Sequence, residues 1–456
     1  MTLSTPSPFV QALVDLVGPE RVILDPQEQR RHLFDRNFTL YSALLTDAFA
    51  DRHVDAIARP ATVDELRGIT ALAVRYRVPI TVRGAGLTTY GQSLPLEGGL
   101  LIDIRDLDRV LEITDGGVTV EPGATLAAAE AAARARGREL RLFPSNLHVA
   151  TAAGYVAGGS AGIGSVRHGF LWDGNVLGVE ALTAEDPPRP VRLIGPDVNL
   201  VIHAYGVTGV ITRLTFPVEP ARAWRDACVT FDSFDDAARF AYRLAAEATV
   251  SLRLCSLQQA PIPRFFLPVQ HLFPEGSSAV LLMVEDGHAD QLAQLAGEAG
   301  GQLRWWPEKP SITQFVFNHS VLWARKRHPN ASWVQLVFSE EGLFEQLAAL
   351  TSRFGHTMFQ HVEMVRRPDG SITPFGRSVI LDPDLATTAR IMEACRGLGI
   401  HVINPHSYVL EEIGMSRMAA DPAAVAAFKA QVDPLDLLNR GKIGRAFYGP
   451  HAGRTA

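Results

Sequence analysis

Short apolar runs alternate with glycine turns through the first half of the chain, and the period of the apolar positions separates strands from helices. The runs at 55–58 and 79–82 predict buried strands. Between them, residues 62–65 form a Thr-x-x-Glu capping box that begins a helix with apolar residues at helical spacing. Near the N-terminus, residues 7–17 predict a short helix ended by a Gly-Pro pair. This order of elements predicts a mixed helix and sheet fold.

The pattern changes near residue 219. Beyond it, helical runs at 234–246, 289–299, 343–354 and 386–398 alternate with strand-like runs at 279–284, 333–338 and 361–365. This alternation predicts a second, α+β domain with helices on one face of its sheet. We therefore divide the chain into an N-terminal helical segment (1–52), a strand and glycine-rich domain (53–219), the second domain (220–420) and a C-terminal tail (421–456).

Composition narrows the class of protein. The 456 residues, 47% hydrophobic and 20% charged, predict a globular protein of two or three domains. A net charge of -6 argues against nonspecific nucleic-acid binding, which needs a basic surface. Three scattered cysteines, at Cys228, Cys255 and Cys395, form neither a disulfide framework nor a metal cluster and fit a reducing compartment. Because the N-terminus lacks a secretion signal and the uncharged stretch 142–166 is polar and glycine-rich, we expect a cytoplasmic protein without a membrane span.

A glycine-rich segment, 83–91, directly follows the predicted strand at 79–82. Glycines there allow positive φ, so successive backbone N–H groups can converge on an anion. The segment is not a Rossmann fingerprint, because the G-x-G-x-x-G spacing fails, and it is not a Walker loop, because no Gly-Lys-Ser/Thr occurs. A phosphate cradle and a tight strand-to-strand turn both remain open from this segment alone.

Two further stretches of bare main chain follow. Residues 144–169 combine a Pro-Ser pair with two groups of glycines, and residues 206–212 run directly into a predicted strand at 213–216. Side-chain-free backbone is needed where a flat ring system lies against the main chain. Each stretch taken separately is equally compatible with a structural loop.

In this order and spacing, the three stretches resemble the FAD-binding domain of the vanillyl-alcohol-oxidase (PCMH-type) flavoprotein family, which includes D-lactate dehydrogenases and the glycolate oxidase FAD subunit. The resemblance covers 59–217, with a tail match at 433–443 that is similar to the family's D-P-x-x-x-x-N-P-G-K ending, although Arg440 stands where Pro is usual. It implies an α+β fold with a two-subdomain FAD-binding domain, an antiparallel-sheet substrate domain and a C-terminal tail that returns to the FAD domain.

The resemblance also implies FAD as cofactor and a set of residues around it. These are Arg83, Gly84, Ala85, Gly86, Leu87 and Thr88 at the pyrophosphate, Pro144, Ser145, Gly154, Gly158, Gly159, Ser160, Gly164, Ser165 and His168 along the cofactor, Gly209, Val210 and Ile211 at the flavin's pyrimidine edge, and Asn439 and Lys442 from the tail. Some members attach FAD through a histidine at the position of Leu87. Since leucine cannot form that bond, we predict noncovalent FAD.

Oxidation of an alcohol by hydride transfer to flavin needs a proton acceptor and, for an acidic substrate, a cation. His406 and Tyr408, two apart, point the same way on an extended chain, and the related enzymes have a histidine in the equivalent stretch. We predict His406 as base, with Tyr408 orienting the hydroxyl, against the alternative of a hydrogen-bonded structural loop. The stretch 322–328 is similar to the Leu-Trp-x-Ala-Arg-Lys stretch of glycolate oxidase FAD subunits, and it predicts Arg325 as carboxylate anchor, against a basic helix end.

One departure from the family concerns metal. Related 2-hydroxyacid dehydrogenases carry an H-x-G-D-G-N-x-x-H-like strand and a Glu-His pair, both absent here. His356, His361 and Glu363 do not make up the three or four ligands that zinc needs, so we predict no metal. Arg105, which follows a predicted strand, would hinder oxygen at the flavin and favour a dehydrogenase, unless it faces solvent.

The sequence therefore predicts an FAD-dependent oxidoreductase that oxidises a small hydroxylated molecule, a 2-hydroxy acid or related polyol, by hydride transfer to flavin N5. The electron acceptor, whether oxygen, a quinone or an iron–sulfur partner, stays open, and so does a homodimeric state. Two alternatives stay open as well. One is an FAD subunit of a multi-subunit electron-transfer complex, and the other is a noncatalytic FAD-binding protein.

Overall fold

The computed structural model describes residues 7–33, 35–36, 40–414 and 416–443. A mixed sheet of four strands comes first, in the order β1-β2-β4-β3, with β2 and β3 parallel to β4. Its strands are β1 (Val22–Ile23), β2 (Ala56–Ala58), β3 (Ile80–Arg83) and β4 (Leu100–Asp103), and its helices are α1 (Pro8–Val17), α2 (Pro26–His32), α3 (Ala43–Ala48) and α4 (Val63–Arg75).

The predicted capping box at the start of α4 is present in a shifted form. The Thr62 side chain accepts from the Glu65 N–H over 3.1 Å, as a capping box requires. The Glu65 carboxylate, however, accepts from the N–H of Ala61 over 2.7 Å, one residue before the cap. The sequence signal therefore places the beginning of the helix correctly.

An antiparallel sheet follows, in the order β5-β6-β10-β8-β9 with β7 also pairing with β10. Its strands are β5 (Val110–Ile113), β6 (Gly117–Val120), β7 (Arg138–Leu140), β8 (Gly178–Leu182), β9 (Pro190–Ile194) and β10 (Val210–Pro220), with the helices α5 (Leu126–Arg134), α6 (Ala152–Gly158) and α7 (Ser165–His168) between them. These two sheets are the two predicted subdomains of the glycine-rich part of the chain.

The third sheet is antiparallel throughout and has the order β14-β11-β13-β12-β17-β18-β15-β19, with β16 beside β18. Its strands are β11 (Trp224–Phe231), β12 (Leu252–Gln258), β13 (Ser278–Glu285), β14 (Gln302–Trp305), β15 (Ser332–Val337), β16 (Met358–Phe359), β17 (His361–Arg366), β18 (Ile372–Ile380) and β19 (His401–Ile403). The helices of this part are α8 (Phe234–Glu247), α9 (Ala289–Glu298), α10 (His319–Arg325), α11 (Leu343–Phe354), α12 (Leu385–Gly397), α13 (Leu410–Ile413), α14 (Ser416–Ala419) and α15 (Pro422–Val432). The predicted α+β class with an antiparallel substrate sheet is confirmed.

The third sheet is buried on both faces, and neighbouring residues of one strand show this. In β15, Val334 and Leu336 belong to the core shared with the helices of that part, whereas Trp333 belongs to the core shared with the first two sheets. Across that second core, the rings of Phe170 and Phe375 meet edge to face at 5.2 Å. The site described below lies at this junction.

The C-terminal tail returns to the first sheet, as predicted. The Ile80 N–H donates to the Leu437 carbonyl over 2.8 Å, and the Asn439 N–H donates to the Ile80 carbonyl over 2.7 Å, which extends the edge of β3. Among the described residues, no helix combines the length and apolarity needed to span a membrane.

Candidate functional site

An open cavity lies where the three sheets meet. One side consists of loops from the first two sheets, at 84–93, 144–161 and 203–211. The other side is contributed by the third sheet and its connections, through Phe317, Asn318, His319, Leu322, Gln335 and Arg377. All three predicted glycine stretches therefore line the same space.

The first glycine loop presents backbone to the cavity. Gly84, Ala85, Gly86, Leu87 and Thr88 all line it. A Cβ on Gly84 would collide with the Thr151 hydroxyl, and a Cβ on Gly86, which has a φ of +64°, would collide with the Arg83 guanidinium.

Arg83 itself does not line the cavity. It ends β3 and is buried behind the loop, where Nη1 donates to Ser93 Oγ over 3.1 Å. Burial lowers the pKa of Arg83, and the nearby Asp35 and Tyr41 raise it again in part. The arginine therefore supports the loop from behind.

The second stretch divides in two. Pro144, Ser145, Gly154, Gly158, Gly159 and Ser160 line the cavity. Gly164, Ser165 and His168 do not, because they form the connection to the third sheet. The Gly164 N–H donates to the Arg253 carbonyl over 2.8 Å, and His168 Nε2 lies 3.2 Å from a Glu219 carboxylate oxygen.

The third stretch also contains residues that line the cavity and one that does not, and the tail supports the lining loops. Gly209 and Ile211 line the cavity, whereas Val210 is buried in β10. Asn439 Nδ2 donates to the carbonyls of Gln92 (2.6 Å) and Tyr205 (2.7 Å), joining two of the lining loops.

Lys442, like Asn439, binds the backbone of a lining loop. Its Nζ donates to the Gly91 carbonyl over 2.6 Å, and burial holds the pKa of Lys442 well below its usual range. The tail residues therefore hold the backbone of the loops and do not face the cavity.

The three predicted catalytic side chains also lie outside the cavity lining. His406 is buried, and neither ring nitrogen makes a hydrogen bond among the described residues. Burial lowers the pKa of His406 to about 4. The ring of Tyr408 packs on Phe49 at 5.6 Å. Arg325 ends α10, and its Nη1 donates to the Ala331 carbonyl over 2.6 Å.

Arg105 is held by Asp103. Its Nη2 lies 2.5 Å from the carboxylate, and the side chain is 42% exposed. It does not line the cavity. The prediction that it hinders oxygen therefore gains no support from its position.

A polar cluster that the sequence reasoning missed lies on the third-sheet side. Arg377, in β18, donates from Nε to Asn318 Oδ1 over 2.9 Å. Tyr90 donates to Gln335 Oε1 over 2.9 Å. The Tyr155 hydroxyl and Nη1 of Arg377 are both buried without a hydrogen-bond partner among the described residues. Burial lowers the pKa of Arg377, raises that of Tyr155 and raises that of Tyr90 to about 12.

Two histidines line the cavity, and their hydrogen bonds distinguish them. His319 Nδ1 lies 3.0 Å from the Thr313 carbonyl, which only accepts, so Nδ1 carries the proton and Nε2 presents its lone pair. In His203, Nδ1 donates to the Gly159 carbonyl and Nε2 faces the Tyr205 hydroxyl at 3.3 Å. Burial lowers the pKa of both, for His203 to about 4. His319 is therefore the histidine with an acceptor nitrogen to offer.

Sequence signals for these residues exist but are weak. Asn318 and His319 lie shortly before the stretch 322–328, and His319 and Arg325 stand at opposite ends of one helix, α10. Arg377 is a lone charge in the otherwise uncharged strand β18. A charge in a buried strand indicates a pairing partner or a site.

His361 and Glu363 contact each other at 2.7 Å, while His356 is exposed. Within the described ranges, no group of three or more His, Cys, Asp or Glu side chains is placed to hold a metal ion.

Comparison with known proteins identifies an FAD binding domain in this chain. The family described as "FAD binding domain" matches residues 54–186. Glycolate oxidase subunit GlcD of Escherichia coli (strain K12) is 22% identical over 428 residues, which cover 85% of this chain and 83% of that protein. The GlcD subunit of Bacillus subtilis (strain 168) is 26% identical over 243 residues, 51% of this chain. The probable mitochondrial D-lactate dehydrogenase of Danio rerio is 28% identical over 176 residues, covering 36% of this chain and 35% of that protein.

The chain spans about half the length of the Bacillus subtilis relative, 52%. Among solved structures, an alkyldihydroxyacetonephosphate synthase is similar with a TM-score of 0.71 at 15% identity, covering 96% of this chain and 86% of that one. A p-cresol methylhydroxylase with substrate bound has a TM-score of 0.70 at 13% identity, covering 95% and 96%. At these identities the structures establish the fold, and the family match establishes the cofactor, FAD. The chain therefore carries a PCMH-type FAD binding domain over residues 54–186 and shares its fold with these solved structures.

Proposed function

We propose that this protein is an FAD-linked oxidoreductase that oxidises the CH–OH group of a small hydroxy acid in the cavity between the glycine loops and the third sheet. The observation that carries the proposal is that the loops share their cavity with a buried arginine, Arg377, whose Nη1 has no hydrogen-bond partner among the described residues. Relatives named glycolate oxidase subunit and D-lactate dehydrogenase support the same substrate class.

The lining residues fit FAD. The backbone of 84–88 and the glycines at 154, 158, 159 and 209 offer main chain without intervening side chains. Leu87 lines the cavity and offers no nucleophile. We therefore propose that these residues hold FAD noncovalently, and that bound FAD supplies the acceptor for a hydride.

Arg377 is the anchor that we propose for the substrate carboxylate, in place of Arg325. A guanidinium binds a carboxylate through two parallel N–H donors, and burial strengthens that interaction by excluding water. Tyr155 also lines this space, and its hydroxyl has no hydrogen-bond partner among the described residues. An anion that bound here would satisfy two buried polar groups at once.

His319 is the proton acceptor that we propose, in place of His406. Its Nδ1–H is held by the Thr313 carbonyl, so the Nε2 lone pair has a fixed direction. Because burial lowers its pKa, the ring is neutral and able to accept at neutral pH. In the reaction, the substrate hydroxyl proton passes to Nε2, the C–H electron pair leaves as hydride, and the C–O bond becomes a carbonyl.

Anaerobic mixing of the purified FAD-loaded protein with D-2-hydroxy acids, neutral benzylic alcohols and lactones tests the proposal. We expect loss of flavin absorbance with the hydroxy acids. Loss with neutral alcohols or lactones alone would refute the arginine anchor, and no loss with any compound would refute the oxidation.

A second candidate is an FAD subunit that passes electrons to an iron–sulfur partner. The match to a protein named as a subunit over 85% of this chain favours it. Cys228, Cys255 and Cys395 are buried and cannot supply a cluster from this chain. In this role, substrate would reduce the flavin of the isolated protein once without further turnover. Adding the iron–sulfur partner would then restore multiple turnover.

A further inference from the structure

A buried network of hydrogen bonds lies behind the cavity wall, beneath the segment 317–320. His361 Nδ1 is 2.6 Å from Ser320 Oγ, and His361 Nε2 is 2.7 Å from Glu363 Oε1. Ser256, on the neighbouring strand β12, donates to the same carboxylate oxygen over 3.1 Å. All four side chains are buried, with exposures of 2% or less. None of them lines the cavity.

The contacts of this network converge on two side chains, Ser320 and Glu363. Ser320 Oγ donates to the Phe317 carbonyl over 3.0 Å and also contacts His361 Nδ1. Glu363 Oε1 accepts from Ser256 and from the Phe317 N–H, and His361 Nε2 contacts the same oxygen.

The network holds both backbone polar groups of one residue, Phe317. The Phe317 N–H donates to Glu363 over 2.8 Å, and the Phe317 carbonyl accepts from Ser320. Phe317 has a φ of +53°, a conformation that side chains other than glycine rarely adopt. The hydrogen bonds to its N–H and to its carbonyl explain how a bulky residue such as Phe317 keeps a positive φ.

Phe317 and the next residue, Asn318, both contact Arg377. The Arg377 guanidinium lies over the Phe317 ring at 5.0 Å, and Asn318 Oδ1 accepts its Nε–H over 2.9 Å. The negative charge of Glu363 also acts on Arg377. A continuous path of contacts therefore runs from Glu363 through Phe317 and Asn318 to the guanidinium.

We infer that Glu363 and His361 are positioning residues for Arg377, setting the orientation of its guanidinium toward an anion in the cavity. The inference rests on the proposed role of Arg377. Stability alone does not explain the pair, because replacing two buried hydrogen-bonded partners with apolar groups of the same shape can be nearly neutral or stabilising. A network that fixes the backbone of Phe317 beside the site accounts for the position of the pair.

A double-mutant cycle on the FAD-loaded protein tests the inference, with acetate as the anion probe. The variants are Glu363→Gln, Arg377→Lys and both together. The readout is the rise in melting temperature with acetate concentration, which needs no turnover. Lysine keeps a cation but has no Nε–H donor for Asn318. In that background, Glu363 therefore has no guanidinium to orient through Asn318. Ser320→Ala removes only one hydroxyl and serves if Glu363→Gln does not fold. Glu393→Gln, at a side chain 79% exposed, is the charge-matched control.

We expect Glu363→Gln and Ser320→Ala to raise the acetate dissociation constant about tenfold, with FAD retained, and to have no further effect in the Arg377→Lys background. Equal losses in both backgrounds, or no loss, would overturn the inference. Absence of acetate binding in the unaltered protein would refute the Arg377 anchor together with this inference. If hydroxy acids fail to reduce the flavin while the cycle behaves as expected, the proposed oxidation fails and the positioning role stands.

Discussion

The guanidinium of Arg377 donates from Nε to the side-chain oxygen of Asn318 over 2.9 Å, although the two residues lie 59 positions apart. This bond joins strand β18 to the turn before α10, and both elements face the glycine loops. It leaves Nη1 without a hydrogen-bond partner among the described residues at the cavity wall. On the proposed function, this is the side of the cavity that would bind an anion.

Arg377→Met is expected to raise the hydroxy-acid concentration that half-reduces the flavin by about 10- to 100-fold, because charge-assisted hydrogen bonds of about 1.5–3 kcal/mol are lost. Anaerobic titration followed by flavin absorbance measures it. Arg325→Met is the comparison variant. If the larger loss occurs there, the assignment made from the sequence is right and the one made from the cavity is wrong.

His319→Gln is expected to slow the limiting rate of flavin reduction by about 10²- to 10⁴-fold, the range for loss of a general base, while FAD stays bound. Because burial lowers the pKa of His319, the neutral ring persists below the usual histidine range. The rate in the unaltered protein should therefore fall only at acidic pH, as the ring becomes protonated. Stopped-flow absorbance across pH tests both points, and an unchanged rate in the variant would contradict the role.

His406→Leu is expected to make the fold less sensitive to acid. The folded-state pKa of His406 is about 4, below the unfolded value of about 6.5, so the unfolded chain binds more protons between these values. The unaltered protein therefore loses stability as pH falls through this window. The variant should lose about 2 kcal/mol less between pH 7 and pH 5, measured by urea unfolding.

The same variant addresses the predicted catalytic role of His406. A leucine there removes two ring nitrogens without hydrogen-bond partners among the described residues, so stability at pH 7 should hold or rise. Flavin reduction by hydroxy acids should persist. Its loss in a folded, FAD-loaded variant would return His406 to the role of base.

Gly86→Ala is expected to weaken FAD binding and lower the melting temperature, because Gly86 has a φ of +64° and an added Cβ would collide with Arg83. Gly137→Ala is a matched control with a φ of +67° and nothing within 4 Å of its Cβ. The control should show only the backbone penalty of about 1 kcal/mol. Fluorescence titration with FAD separates the two, and equal effects would mean that the close approach at Gly86 is unimportant.

The sequence predicted the cofactor loops because their chemistry leaves a local mark. A backbone that must approach a ligand or adopt positive φ requires glycine, and Gly84 and Gly86 stand where the structure needs them. This glycine pattern does not distinguish residues that face the cavity from residues that support the loops from behind. Arg83, Lys442 and Asn439 support the loops from behind, and only the folded positions show this.

The polar cluster on the third-sheet side was not predicted from the sequence, for a physical reason. Tyr90 and Gln335 are bonded across 245 positions, and no local pattern encodes such a pair. A histidine in a polar turn, such as His406, has the chemistry of a base. The sequence does not show that its ring is buried without a hydrogen-bond partner among the described residues. The family resemblance drew attention to the stretch 322–328 on α10, but the pattern alone could not show which end of that helix faces the cavity.

The bonds from Asn439 to Gln92 and from Lys442 to Gly91 span 347 and 351 positions along the chain. Backbone loops that approach a cofactor early in the sequence therefore receive their last supports from its far end. An N-terminal fragment carrying every glycine of the cradle would still lack these supports. Retention of the yellow cofactor consequently reports on the docking of distant parts of the polypeptide, and not on the glycine-rich region alone.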